Sequence, residues 1–192
     1  MSKTEASAKV LVLSDSHGDV NQVIEIVAHW EADISAVIFL GDGAADITEA
    51  AFIFTDLDFY AVTGNNDFSL IPNSRVQFPL ENVITISGIT IYMTHGHITH
   101  YKNVQAEVFK RAKSHKATIG LYGHLHVPAV EIQESVTIFN PGSIRYPRGE
   151  SKCCYLILEL DKEGFSYQFY DAKKHTYLSV IHKKTSEILI GI

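Results

Sequence analysis

The sequence predicts an α/β fold in which two sheets pack together with helices outside them. Three observations predict it. Short apolar runs recur along the first two thirds of the 192-residue chain, of the kind found in strands covered on both faces. Stretches with helical periodicity separate several of these runs. After Tyr122 the pattern turns into hairpins, and a strand-rich second half needs a buried face of its own.

The elements follow in order. Residues 1–8 are polar and small, without a basic head and apolar stretch, and read as a short disordered leader rather than a secretory signal. Val10–Ser14 is the first strand. Asp19 and Gln22 resemble a capping box, followed by a helix with Val20, Val23, Ile24, Val27 and Trp30 on one face. Ala36–Leu40 and Phe59–Thr63 are strands flanking a helix near Ile47–Phe54. Ile89–Thr94 and Thr118–Tyr122 flank a helix over Asn103–His115, in which Val104, Val108 and Ala112 align. Hairpins are expected at Ala129–Gln133 with Val136–Phe139, turning at Glu134 and Ser135, and at Cys153–Leu160 with Phe165–Tyr170, turning over Asp161–Gly164. The segment 173–192 is ambiguous. Its apolar end, ILIGI, must pack on this chain or on a partner such as a second copy. No repeat or linker divides the chain, so residues 1–192 read as a single domain.

Composition narrows the function. Hydrophobic residues make up 46% and charged residues 20%, ordinary for a soluble protein, and no apolar run is long enough to span a bilayer. A formal charge of −6 argues against a broad nucleic-acid surface, though not against a small phosphate ester. Adjacent Cys153 and Cys154 are too close for an ordinary mutual disulfide and read as reduced thiols of a cytoplasmic protein.

Where the polar residues fall carries the chemistry. Each of five apolar runs ends on a polar motif. These are Asp15 with His17, Asp42 after Gly41, Asn65 with Asn66 and Asp67 after Gly64, His95 with His97, and His124 with His126 after Gly123. Ligands of open α/β sheets sit at the carboxyl ends of strands, so these motifs converge on one rim. Imidazoles and carboxylates crowded there need a cation between them, and divalent metal is the simplest answer. His29, His100, His115, His175 and His182 lie outside any motif and read as ordinary surface residues. Arg145 and Arg148 are candidates to contact phosphate, with solvated charge as the plainer alternative.

In this order, D-x-H, G-D, G-N-x-D, H-G-H and G-H-x-H resemble the calcineurin-like metallophosphoesterase superfamily. The closing Asn140–Ser143 and the small size resemble its compact YfcE-type phosphodiesterase branch. The resemblance implies a four-layer α/β/β/α sandwich of two mixed sheets. It implies a dinuclear phosphodiesterase using a metal-bridging hydroxide. One divalent ion would sit on Asp15, His17 and His126, the other on Asn65, His95 and His124, with Asp42 bridging. Mixed nitrogen and oxygen ligands suit manganese, zinc, iron, nickel or cobalt better than calcium or magnesium, and manganese is the first expectation. Gly41, Gly64 and Gly123 would let the backbone turn sharply. His97 would lie beside the site as a catalytic or supporting residue.

Two departures stand out. Many members have a histidine, able to protonate a leaving group, where this chain has Asn66. Many have a second Asp three residues after the bridging one, where this chain has Ala45; Asp46, one place later, reads as a helix cap. The alternatives are a scaffold on the same fold, as in the retromer subunit, a dinucleotide-binding loop at Gly41–Asp46, and a haloacid-dehalogenase-like phosphatase. The second lacks its third glycine and sets Asp42 against the pyrophosphate. The third wants a carboxylate where His17 stands.

Overall fold

A computed structural model describes residues 7–67 and 78–179, and the backbone of 182–184. Two six-stranded sheets stack face to face. The first runs in the order β11-β10-β9-β1-β2-β3, from Tyr177–Leu178, Gly164–Asp171, Cys154–Asp161, Ala8–Leu13, Ala36–Phe39 and Asp58–Ala61. The second runs β12-β7-β8-β6-β5-β4, from His182–Lys184, Ala129–Gln133, Val136–Asn140, Ile119–Tyr122, Ile89–Thr94 and Glu81–Ile86. Both are mixed: β1, β2 and β3 are parallel, as are β5, β6 and β8, while β9, β10, β4 and β7 pair antiparallel to a neighbour.

Strand alternation divides the core into layers. In β1, Val10 and Val12 face the second sheet, against Ile91, Met93 and Leu121, whereas Leu11 and Leu13 face outward onto helices. Helices α1 (Val20–Trp30) and α2 (Ala44–Ile53) cover that outer face, and α3 (Val104–Ser114) covers the far face of the second sheet through Val108, Phe109 and Ala112. This is the four-layer α/β/β/α sandwich. No helix among the described residues is long and apolar enough to cross a membrane.

Several expectations are corrected. The sheets do not divide between the two halves of the chain. Hairpin β7–β8 joins β6, but hairpin β9–β10 returns to pair with β1, Leu158 opposite Val10, and completes the first sheet. Periodicity identifies a hairpin without saying which sheet it extends. The β1 strand begins at Ala8, inside the presumed leader, because Ala8 pairs with Leu160; residues 1–6 lie outside the described residues. The edge strand β4 was missed. Its hairpin with β5 turns on Ser87 and Gly88, at φ 49° and 82°, a two-residue loop with both residues left-handed. The tail is in part ordered into edges: β11 pairs with β10 and β12 with β7, while ILIGI and the His182 side chain lie outside the described residues.

Local signals were partly right. Asp19 accepts from the Gln22 backbone at 3.3 Å, but the Gln22 side chain donates to Ala172 O instead of closing a capping box. Ile26, absent from the expected face, is buried with Val23 and Val27, while Ile24 and Trp30 are partly buried against the same core.

Candidate metal centre

The parallel strands of both sheets end on one rim, and the polar motifs meet there. Asp15, Asp42, His95 and His126 are buried, at 0%, 3%, 0% and 6% exposure, so their charges are not dispersed into water. Two groups have their ligand atoms within 4.8 Å of one another: Asp15, His17 and His126, and Asp15, Asp42 and His95. They meet at Asp15. Asp42 Oδ2 lies between two imidazoles, 3.8 Å from His17 Nε2 and 3.5 Å from His95 Nε2. His124 packs its ring 5.2 Å from that of His95, and the His97 ring lies 5.4 Å from it on the same loop. Asn65 and Asn66 are exposed on the turn after β3. The Asn66 amide is engaged all the same, donating to Asp42 Oδ2 at 2.6 Å while its backbone donates to Oδ1.

The backbone is bent to bring these side chains in. Asp15, His17, Asp42, His124 and His126 all have positive φ, between 47° and 64°. Non-glycine residues seldom adopt that region, and strain of this kind gathers at functional sites. Of the three motif glycines only Gly41 turns left-handed, at φ 95°. Gly64 serves a different need: a Cβ there would lie 2.1 Å from Asp42 Oδ1, so the position must be bare for the two loops to touch.

The loops are tied from behind. Asp67 accepts from the backbones of Asp42, Gly43, Ala44 and Gly64 at 2.6–2.9 Å. Asp46 does not cap α2; it accepts from Ser16 Oγ and Gly18 N, and so holds the loop carrying His17. Asn140 donates to Gly123 O and Ser143 Oγ donates to Asp15 O, which gives the closing Asn140–Ser143 turn a bracing role. Arg145 donates to His17 O, and Arg148 is exposed.

The donor set fits a cation. His95 Nδ1 is 2.6 Å from Leu40 O, and His126 Nδ1 is 2.6 Å from Tyr146 O. A carbonyl only accepts, so both Nδ1 atoms carry the proton and both Nε2 atoms are turned to the rim. His95 Nε2 and Asp15 Oδ1 are buried there without a hydrogen-bond partner; His126 Nε2 approaches Asp15 Oδ1 to 3.0 Å out of hydrogen-bond alignment. The imidazole nitrogens of His17 and His126 face each other at 3.2 Å. Orphaned buried acceptors are what a bound cation satisfies.

The electrostatics agree. Burial opposes ionisation of Asp42, yet the His95 ring facing it at 3.5 Å and the hydrogen bonds from Asn66 hold its carboxyl well below the usual range. Burial pulls His95 down, but the facing carboxylate of Asp42, 3.5 Å away, and that of Asp15 leave it raised. His126 is raised too, by Asp15 against burial. Burial, then the charge of His95, lowers His97 and His124.

The residues that sequence reasoning passed over are Asp67, which it quoted without a role, and Tyr146, which carries no motif signal. Among residues assigned to the surface, His29 and His175 stack with rings 4.0 Å apart, and His115 stacks on Tyr92 at 5.8 Å.

The family model for the calcineurin-like phosphoesterase superfamily domain matches residues 9–163. The chain is 33% identical to a probable metallophosphoesterase, YsnB, of Bacillus subtilis over 163 residues, covering 84% of this chain and 90% of that protein. It is 29% identical to the phosphodiesterase YfcE of Escherichia coli K12 over 104 residues, about half of each chain (53% and 52%). A solved structure from Streptococcus pneumoniae TIGR4, a conserved uncharacterized protein described as a predicted phosphoesterase, superposes with a TM-score of 0.74 at 29% identity, covering 90% of this chain and 94% of that one. With the match running from β1 through β9, the chain belongs to the calcineurin-like phosphoesterase superfamily.

Proposed function

We propose that this chain is a phosphodiesterase dependent on two divalent cations. Asp15, His17 and His126 would hold one, Asn65, His95 and His124 the other, and Asp42 would touch both. The observation that carries the proposal is the pair of orphaned buried acceptors, Asp15 Oδ1 and His95 Nε2, facing a common space. The cations would supply Lewis acidity toward the phosphoryl oxygens and a water of lowered pKa. Manganese is the first metal to try, because mixed oxygen and imidazole ligands suit the transition series.

The side chains have distinct tasks in this reading. Leu40 O and Tyr146 O hold His95 and His126 in the tautomer that leaves Nε2 free. Asn66 orients Asp42 through its amide and backbone, and has no proton to give a leaving group. His97 is the motif histidine not assigned to a cation, but burial favours its neutral form, which makes it a weak proton donor. That division suits diesters whose departing oxygen tolerates negative charge.

The test is hydrolysis of bis(4-nitrophenyl) phosphate and 4-nitrophenyl phosphate with each metal in turn. Metal-dependent turnover, faster on the diester and nearly abolished in Asp42→Ala and His124→Ala, is expected. Full wild-type turnover after exhaustive chelation would sink the reading.

A further inference from the structure

The rim of the centre carries an aromatic side chain that neither the fold nor the metal site requires. Tyr146 uses its backbone carbonyl to hold His126 and its N–H to meet Ser143 Oγ at 2.8 Å, so its main chain is part of the scaffold. Its ring does something else. The ring centroid lies 5.5 Å from that of His17, and the side chain is left 52% exposed. Arg145 sets its guanidinium 4.8 Å from the Tyr146 centroid and donates to His17 O. One surface of the ring is thus propped by a cation tied to the loop of a candidate ligand. A second observation points the same way. Ile98 and Val127, 52% and 42% exposed, directly follow His97 and His126, so apolar side chains are open to water on the loops that bring in the histidines. A site for phosphate alone gains nothing from such a rim.

We propose that Tyr146 is a specificity-determining residue, a platform on which the organic group of the substrate stacks, and that this group carries a planar aromatic ring. The inference rests on the phosphoesterase reading and names the substrate class for that site. Offset aromatic stacking adds to area burial and prefers flat rings to puckered ones. Arg145 holds the tyrosine in place, which lowers the ordering cost on binding. The phosphoryl group would meet the centre beside His17 while the ring lies against Tyr146.

The test avoids turnover. Phenylphosphonate and cyclohexylphosphonate have a phosphorus–carbon bond that a phosphoesterase does not cleave, and they differ in a flat against a puckered ring. Their affinities for the manganese-loaded protein are measured by calorimetry. Phenylphosphonate is expected to bind about 3–10-fold tighter, the range of an aromatic pair. Tyr146→Leu should erase the preference and Tyr146→Phe should keep it. Manganese affinity should stay unchanged in both, since only the Tyr146 backbone holds His126. Equal affinities in the wild type, or a preference that survives in Tyr146→Leu, would overturn the platform while leaving the phosphoesterase reading intact. If neither phosphonate binds the metal-loaded protein, the phosphate site fails and the platform with it.

Discussion

The buried carboxylate of Asp67 is built into the turn that carries Asp42. Its Oδ2 accepts from Asp42 N at 2.9 Å and Gly64 N at 2.6 Å, and its Oδ1 accepts from Gly43 N and Ala44 N, both at 2.8 Å. One side chain satisfies four backbone donors and joins the loops after β2 and β3.

Asp67→Ala orphans those donors in a place with little water. Each buried unsatisfied donor costs about 1–3 kcal/mol, and partial rehydration should leave a net loss of roughly 3–5 kcal/mol. Urea unfolding measures it. Manganese affinity should fall as well, because Asp42 loses its fixed position. A loss below about 1 kcal/mol would mean that the loops are held by something else.

Metal loading should release protons. In the metal-free protein Asp42 and Asp15 keep His95 protonated to higher pH than usual, and Asp15 does the same for His126, while a metal needs the neutral ring. Apparent affinity therefore rises with pH through the neutral range and above, until both rings are neutral. Calorimetry in two buffers of different ionisation enthalpy reads the release directly. Binding heats that do not depend on the buffer would contradict it.

Leaving-group dependence should be steep. Asn66 is committed to Asp42 and cannot donate a proton. Diesters of graded leaving-group pKa should slow progressively as the leaving group worsens. General-acid assistance is worth about 10²–10⁴-fold, so Asn66→His should raise the ratio of poor to good leaving-group rates by at least about tenfold. A flat wild-type dependence, with chemistry limiting, would reveal an acid already in place, and His97→Ala would be the variant to examine.

Far from the centre, Trp30 Nε1 donates to Tyr155 OH, which meets His175 Nδ1 at 3.0 Å, and His175 stacks on His29. Burial, then the charge of His29, lowers the His175 pKa against the pull of Glu25 and Asp171. A lowered imidazole pKa means that the unfolded chain binds the proton more readily. The stability from the neutral ring is thus complete above the ordinary value near 6.5 and is lost as pH falls through the folded one. Thermal melts from pH 7.5 to 5 should show a shallower decline in His175→Asn than in wild type. Parallel declines would remove His175 from the acid response.

The legible part of the site was local. Asp15, Asp42, His95 and His124 each follow an apolar run within a residue or two, so strand and candidate ligand were readable together. The left-handed conformations at Asp15, His17, Asp42, His124 and His126 carried no such signal, since none of the five is glycine. The role of Asp46 was misread because a carboxylate just inside a helix is a common local feature, whereas its partners Ser16 and Gly18 lie about thirty residues away (30 and 28).

The sequence alone determined the central buried strands, the helices between them, two of the hairpins and the run of candidate metal-ligand motifs. These depend on neighbours within a few residues and on a side-chain period of two or 3.6. Only the tertiary structure decided that β9–β10 closes the first sheet against β1, that Asp67 joins two loops, and that the Tyr146 ring stands beside His17. Those pairings link residues from 23 to more than 120 positions apart, and their choice is made by which apolar faces and backbone donors must be covered together when the sheets pack.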